Sequence, residues 1–366
     1  MSDHRHIRSL GFERPGETFF TGYDEGPPGH NQVRLDTLYT GFSAGTELTF
    51  FKNTNPYLHS RWDGGRGVFV PNEPGQHFPV PFLGYMESAR VIHSNAPGFA
   101  EGDVIGTTFG HKTGHTADPF HDHLVKLPTA MDPILGIYAG QMGPIAANGI
   151  LHADAELLGP TSPSLGASLA GRPVLVIGAG VVGLFTAMFA QKAGASEVVI
   201  ADPSAFRRTR ATSLGMVAMT EDQAWDYAKA RFQHGGQDRG ADVVFQTRAS
   251  VASLHAALRA LRPQGTVIDL AFYQGGSEAL RLGEEFHHNG LNIRCAQIGR
   301  VPRGMGLLWD RARLSHETVA LLTERAAEIK AQIITHVVPI DEANSFLRHL
   351  VTDRPEFLQI VFQVAA

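Results

Sequence analysis

The sequence predicts an α/β protein in which a β-rich amino-terminal half precedes a doubly wound parallel sheet with helices on both faces. The first 145 residues are dense in glycine, proline, histidine and threonine, with short strand-like pieces such as QVRLDTLYTGFS and DVIGTTF. After residue 172, apolar runs alternate with helical segments. Six parallel strands are therefore expected in the second half: VLVIG, EVVIAD, MVAM, ADVVFQ, TVIDLAF and NIRCAQI.

A glycine-rich turn, GAGVVG, follows the first of these strands. Gly178 permits a tight turn, Gly180 lets the backbone approach a pyrophosphate, and Gly183 lets the helix pack closely on the sheet. The helix that begins at Val181 and Val182 offers free backbone N–H groups to phosphates. With a strand before it and a helix after it, the turn predicts a dinucleotide-binding site of the Rossmann type.

The choice of dinucleotide depends on Asp202, which ends the next strand 19 residues beyond Gly183. A carboxylate there accepts hydrogen bonds from the ribose of NAD and repels the 2′-phosphate of NADP. Arg207 lies on the following helix and would attract that phosphate, so NADP stays an alternative to the favoured NAD. Thr247 and Phe272 follow two later strands at their carboxyl ends, where they are expected to contact the cofactor.

Composition narrows the classes of function. The chain has 366 residues, 43% hydrophobic and 18% charged, which suits a globular protein of about two domains. The net charge of −5 and the lack of a basic block argue against nucleic acid as a partner. No apolar run reaches the roughly 18 residues that a membrane span needs. The amino terminus lacks the apolar core of a signal peptide, so we expect a cytoplasmic protein.

The chain has one cysteine, Cys295, in the strand-like run LNIRCAQI. A single thiol forms no disulfide within the chain and cannot supply a four-cysteine structural zinc site. We expect it to be a buried, small hydrophobic residue.

Several segments resemble the medium-chain dehydrogenase/reductase superfamily, the zinc-type alcohol dehydrogenase-like proteins: SAGTEL, FLGYMESARV, EGDVIG, HLVKLP and GPIAANGIL. Within the superfamily, SAGTEL, GAGVVGLFTA, FHHNGLNIR and the Arg/Trp-rich stretch that follows look most similar to the bacteriochlorophyllide a dehydrogenase-like branch. The resemblance implies a GroES-like catalytic domain at 1–145, a Rossmann domain at 146–308, and a segment at 309–366 that returns to the catalytic domain. It also implies a small-molecule substrate and a homodimer or homotetramer.

The resemblance also shows where this chain departs from its zinc-binding relatives. The three places that hold the catalytic zinc ligands there correspond to Ala44, Tyr85 and Gly143, which predicts a site without zinc. An alternative metal site is suggested by a histidine-rich loop, although polar side chains lining a cleft are the favoured interpretation. The histidines of that loop are His111, His115, His121 and His123.

Without zinc, side chains of the protein must stabilise the substrate oxygen during hydride transfer. The resemblance places Thr46 in the family's proton-relay position, and Tyr85 in a vacated zinc-ligand position. We expect Tyr85 to be a general acid/base or oxyanion donor, assisted by Thr46 and with Glu47 behind them. Alternatively, Tyr85 only fills the space and packs against an apolar substrate.

The expected activity is hydride transfer between NAD(P) and an alcohol, polyol or ketone, by an oxidoreductase that needs no zinc. Two alternatives stay open. One is an NAD(P)H-dependent reductase of alkenes or quinones, in which hydride adds to carbon and less help is needed at oxygen. The other is a non-catalytic protein that binds NAD(H).

Overall fold

The computed structural model describes residues 4–364, which fall into two compact units. Unit 1 contains the chain up to Gln141 together with the chain from Ile334 onward, and unit 2 is Met142–Ile333. Unit 1 is thus interrupted by the whole of unit 2. Among residues 4–364, no helix combines the length and apolar character that a bilayer crossing requires.

The amino-terminal part of unit 1 is mostly strand, as its short apolar pieces between glycine and proline residues predict. Two 3-10 helices, Pro56–Leu58 and Pro133–Tyr138, lie in its loops. Its strands and single α-helix are β1 (Arg5–Arg14), β2 (Glu17–Glu25), β3 (Val33–Phe42), α1 (Glu47–Phe51), β4 (Ser60–Asp63), β5 (Val68–Pro71), β6 (Glu87–Ser94), β7 (Val104–Thr107), β8 (Gly114–Ala117) and β9 (Val125–Lys126).

Unit 2 alternates strands and helices. Its elements are α2 (Met142–Leu158), β10 (Pro173–Ile177), α3 (Val181–Lys192), β11 (Glu197–Ala201), α4 (Ala205–Ser213), β12 (Val217–Met219), α5 (Glu221–Arg231), β13 (Ala241–Gln246), α6 (Val251–Ala260), β14 (Leu261–Asp269), α7 (His287–Asn289), β15 (Asn292–Cys295), α8 (Arg311–Glu324) and α9 (Ala326–Gln332). A turn of π-helix, Leu282–Phe286, precedes α7.

The sheet of unit 2 has six parallel strands in the order β12-β11-β10-β13-β14-β15. This confirms the doubly wound sheet predicted from the alternating pattern. The order reverses between β10 and β13, where ligands bind outside the carboxyl ends of the strands in such sheets. Leu175, Val244, Leu258 and Phe232 belong to the buried apolar cluster that packs helices on this sheet.

After unit 2 the chain returns to unit 1 through β16 (Ile334–Pro339), α10 (Ala343–Thr352) and β17 (Gln359–Gln363). The sheet of unit 1 has the order β16-β17-β3-β6-β7-β9, and β8 pairs with β3. In the antiparallel pair β17–β3, Ile360 lies opposite Phe42. Both residues belong to the same buried cluster as Phe12 and Leu347. The carboxyl-terminal strand is therefore part of the core of unit 1.

Two details differ from what the sequence suggested. The segment that returns to unit 1 begins at Ile334, later than the predicted residue 309, because α8 packs against α2 inside unit 2. The prediction that Cys295 is buried is wrong, since its side chain is exposed. It lies on β15, an edge strand whose four residues are all exposed.

Candidate active site

The glycine turn of unit 2 connects β10 to α3 with two glycines that no other residue could replace without strain. Gly178 has a φ of +103°, and a Cβ on Gly183 would lie only 1.8 Å from the Gly178 carbonyl oxygen. The backbone of the helix start therefore touches the backbone of the turn, which a side chain would prevent. These are the roles that the sequence suggested for the two positions.

The middle glycine of the turn has a different environment. Gly180 precedes the first helical residues, Val181 and Val182, and no side chain caps the helix there. A Cβ built on Gly180 meets nothing nearer than Arg207 Nη1, at 3.7 Å. Its φ of −79° is ordinary for any residue. The space beside Gly180 is thus open, next to unpaired helical N–H groups that fit the pyrophosphate of a dinucleotide.

The predicted ribose ligand, Asp202, lies at the end of β11 and is 2% exposed. Its carboxylate accepts hydrogen bonds from the backbone N–H groups of Ala179 at 2.9 Å and Ser204 at 2.8 Å. Arg207 Nη1 is 3.9 Å from the same carboxylate. Asp202 therefore links the glycine turn to the start of α4 and brings negative charge to this edge of the sheet.

The two other predicted cofactor contacts differ from each other. The Thr247 hydroxyl donates to the carbonyl oxygens of Ile177 at 2.9 Å and Gly178 at 3.0 Å, so it braces the glycine turn from β13. Phe272 lies in the loop after β14 with 41% of its surface exposed. Thr247 supports the turn through its hydroxyl, whereas Phe272 offers an accessible ring.

Sequence reasoning missed a buried polar group at the carboxyl end of β14. Asp269 is 7% exposed, and its carboxylate accepts hydrogen bonds from the Tyr273 hydroxyl at 3.1 Å and the Ala271 N–H at 3.0 Å. Burial raises the pKa of Asp269 to about 6. The acid that interrupts the apolar run TVIDLAF was the available signal, because buried carboxylates cluster at functional sites.

In unit 1, the two predicted catalytic side chains are in contact. Thr46 Oγ1 lies 3.2 Å from the Tyr85 hydroxyl oxygen, and the Ser43 hydroxyl is also hydrogen bonded to Tyr85. Burial raises the pKa of the Tyr85 phenol above its ordinary value, and the nearby Glu47 carboxylate raises it further. The phenol therefore stays protonated at neutral pH, as a hydrogen-bond donor must.

Behind this group lies a buried chain of polar residues. Glu47 accepts hydrogen bonds from the Ser43 N–H at 2.7 Å and from His111 Nε2 at 2.5 Å. His111 Nδ1 is in turn 2.7 Å from Thr40 Oγ1. Because Ser43 bonds both Glu47 and Tyr85, the chain Thr40–His111–Glu47 holds the backbone beside the phenol in place.

Of the four histidines in the predicted loop, His111 and His115 are buried, whereas His121 is exposed and His123 is half-buried. His111 and His115 are 2% and 3% exposed, and His115 lies within β8 with its ring against Phe109. His115 is buried because β8 pairs with β3. Within residues 4–364, three metal-ligating side chains converge only in another place, at His255, Glu284 and Glu285.

The resemblance assigns the three zinc-ligand positions to Ala44, Tyr85 and Gly143. Ala44 has no ligating atom, and the Tyr85 hydroxyl is engaged with two other hydroxyls. A Cβ on Gly143 would lie 2.0 Å from Thr318 Cγ2, so packing between α2 and α8 leaves no room for a ligand side chain. This donor set does not fit a zinc ion held by three protein ligands.

Comparison with known proteins finds dehydrogenases that are similar to this chain. A family model described as "Zinc-binding dehydrogenase" matches residues 181–305. The chain is similar to D-guloside 3-dehydrogenase of Escherichia coli, with 25% identity over 80% of this chain and 81% of that protein.

Among solved structures, galactitol-1-phosphate dehydrogenase from Escherichia coli superposes with a TM-score of 0.72 and 14% identity, covering 97% of this chain and 99% of that one. A zinc-binding dehydrogenase from Sinorhizobium meliloti 1021, bound to NADP, gives a TM-score of 0.69 and 16% identity over 98% of this chain and 99% of that one. The chain is therefore similar in sequence to dehydrogenases, and it has the fold of dehydrogenases of the zinc-binding type.

Proposed function

We propose that this protein is a zinc-independent, NAD-dependent dehydrogenase that interconverts an alcohol or polyol and its ketone. The observation that carries the proposal is the Tyr85 hydroxyl, which is hydrogen bonded to Ser43 and Thr46. The resemblance assigns the Tyr85 position to a zinc ligand. A phenol is a poor zinc ligand beside imidazole, thiolate or carboxylate, but a good hydrogen-bond donor to a carbonyl oxygen.

The nicotinamide cofactor supplies the hydride chemistry when it is bound. In ketone reduction, Tyr85 donates a hydrogen bond to the substrate oxygen as negative charge develops there. In alcohol oxidation, the same hydroxyl group hydrogen bonds to the alcohol oxygen and orients it, and the proton of the alcohol leaves to solvent. The raised pKa of the phenol favours its role as donor over its role as base.

The preference for NAD over NADP rests on Asp202. Its buried carboxylate places negative charge beside the glycine turn, where a 2′-phosphate would be repelled. Arg207 Nη1 lies 3.9 Å from that carboxylate, so the carboxylate offsets part of the positive charge of Arg207. We expect catalytic efficiency with NADH to exceed that with NADPH by at least about tenfold; the reverse preference would contradict the role of Asp202.

The substrate class is inferred from the relatives. One relative by sequence is a dehydrogenase of a D-guloside, and one relative by fold is a dehydrogenase of galactitol 1-phosphate. Both names describe substrates that carry several hydroxyl groups. We infer that this chain acts on a polyol, a sugar derivative or a related ketone.

The test combines a substrate screen with metal analysis of untagged protein. Polyols, sugar derivatives, ketones and conjugated enones are offered with NAD or NADH, and the reduced cofactor is followed by absorbance. Oxidation of a polyol by protein with less than about 0.1 zinc per chain supports the proposal. Stoichiometric zinc whose removal abolishes turnover would overturn zinc independence, and turnover of enones alone would identify an alkene reductase.

We also infer a homodimer or homotetramer that pairs through β15. Its residues Asn292–Cys295 are all exposed on an edge strand, which leaves backbone groups on one side available for pairing. Light scattering coupled to size-exclusion chromatography gives the mass in solution. A monomer would contradict the inference, and Ile293→Lys is expected to weaken the assembly.

A further inference from the structure

A cavity of about 490 Å³ opens beside the loop that follows β15 in unit 2. Three arginines line it, Arg300, Arg303 and Arg311, together with Asp310 and Trp309. The volume is within the range of pockets that bind small molecules. Asp310, the acidic residue of the lining, already accepts a hydrogen bond from a backbone N–H as the N-cap of α8. The cavity is therefore cationic.

Arg300 and Arg303 differ from several other arginines of unit 2 in their partners. Elsewhere in the unit, arginines such as Arg172, Arg248 and Arg262 are paired with carboxylates. Within the described part of the chain, no carboxylate pairs with the exposed guanidinium groups of Arg300 and Arg303. Two arginines that line one cavity without carboxylate partners favour an anionic ligand there.

The wall of the cavity is held in place by buried hydrogen bonds. The Asn148 amide on α2 donates to the carbonyl oxygens of Gln297 and Arg300 at 3.3 and 3.2 Å. The indole of Trp309, 1% exposed, donates to the Ser162 carbonyl oxygen at 2.9 Å. Both ends of the loop are thus anchored to residues outside it. Such preorganisation lowers the entropy cost of ligand binding.

The position of the loop relates the cavity to the cofactor. β15 runs parallel to β14, so the loop after Cys295 leaves the sheet at the same edge as the loop after Asp269 and the glycine turn after Ile177. Ligands of open α/β sheets bind outside this edge. Burial lowers the pKa of the Arg311 guanidinium, as expected for a cation drawn partly out of water.

We propose that this cavity binds the anionic group, a carboxylate or a phosphate, of a small hydroxylated substrate. Arg300 and Arg303 supply charge-assisted hydrogen bonds to the anion, and the apolar side chains of Ile298 and Leu314 border the carbon chain. That the molecule carrying this anion is the substrate rests on the proposed function. The anion site itself does not depend on the proposed function. Substrates then belong to the hydroxy acids or the polyol phosphates.

The binding experiment uses the full-length protein saturated with NADH, so that the glycine turn is occupied. Calorimetry measures the affinity for inorganic phosphate, D-gluconate and uncharged sorbitol. We expect phosphate or gluconate to bind, sorbitol to bind more weakly, and the double variant Arg300→Gln, Arg303→Gln to lose at least about tenfold in anion affinity. Arg239→Gln, at an exposed arginine in another loop of unit 2, is the matched control and should bind as the wild type does.

The kinetic experiment compares sorbitol, sorbitol 6-phosphate and D-gluconate as substrates. The ratio of kcat/KM for an anionic substrate over sorbitol is expected to exceed about ten and to fall at least about tenfold in the double variant, through KM. If only sorbitol 6-phosphate or only D-gluconate gives this pattern, the result identifies which anionic group the protein recognises. Equal anion affinity in the double variant and the wild type would overturn the proposal. Anion binding lost in the double variant, with no substrate oxidised, would leave the anion site standing and the proposed function without support.

Discussion

The Glu47 carboxylate and His111 Nε2 are 2.5 Å apart, and the two side chains are only 1% and 2% exposed. Glu47 also accepts the Ser43 N–H. Glu47→Ala would leave two buried donors without a partner, so we expect the free energy of unfolding to fall by about 3 kcal/mol. Urea denaturation measures the change. Glu73→Ala, which removes an exposed pair with Arg61, should cost less than about 1 kcal/mol; equal losses would contradict the importance of the buried chain.

Tyr85→Phe tests the catalytic role of the phenol. The substitution removes one oxygen and its bonds to Ser43 and Thr46 while keeping the ring. We expect kcat to fall by roughly 10²–10⁴ with little change in NADH affinity. Tyr57→Phe, on an exposed 3-10 helix of unit 1, is the control. Full turnover by the Tyr85 variant would mean that the ring only fills space.

Two glycines of the turn should respond to alanine in opposite ways. Gly183→Ala places Cβ 1.8 Å from the Gly178 carbonyl oxygen, and we expect a loss of stability above about 4 kcal/mol or a failure to fold. Gly180→Ala meets no atom within 3.7 Å, so stability should change by less than about 1 kcal/mol. The methyl group nevertheless occupies the space proposed for the pyrophosphate. Thermal denaturation and NADH titration of both variants check this; unchanged NADH affinity in Gly180→Ala would move the phosphate site elsewhere.

Stability should depend on pH through Asp269, whose pKa burial raises to about 6. The native state keeps a proton that the unfolded chain releases near pH 4. The contribution of this group is therefore complete below about pH 4 and is lost as the pH rises through 6. Asp269→Asn stays neutral and should exceed the wild type by up to about 3 kcal/mol at pH 7, with the difference shrinking toward pH 5. Urea denaturation at several pH values measures it; a difference independent of pH would contradict the buried titration.

The nucleotide-binding half was largely predictable because its signals are local. Buried parallel strands are continuous apolar runs, and the turn from β10 to α3 needs glycine at fixed spacing. Strand order is not a local property. Nothing in the run NIRC indicates that β15 ends the sheet, so the exposure of Cys295 could not be seen.

The site in unit 1 was only partly predictable. The contact between Thr46 and Tyr85 followed from the resemblance, but the pairing of Glu47 with His111 joins residues 64 positions apart. The burial of His115 depends on pairing between β8 and β3. A strand of four residues is too short for its sequence periodicity to predict that pairing. Likewise, Gly143 has no room for a side chain because Thr318, on a helix far away in the sequence, packs against it. Contacts between residues so far apart in the sequence can be identified only from the folded structure.

The interrupted layout of unit 1 has a consequence for biosynthesis. Strand β17, Gln359–Gln363, lies between β16 and β3 in the sheet, so the nascent amino-terminal half lacks that neighbour until translation reaches the last strand. Unit 2 is continuous and has all six of its strands by Cys295. On the ribosome, unit 2 can reach its native state first, while residues 39–42 of β3 still lack the strand that pairs with them. That unpaired part of the strand can associate prematurely. Chaperone demand during synthesis should therefore arise from the amino-terminal half.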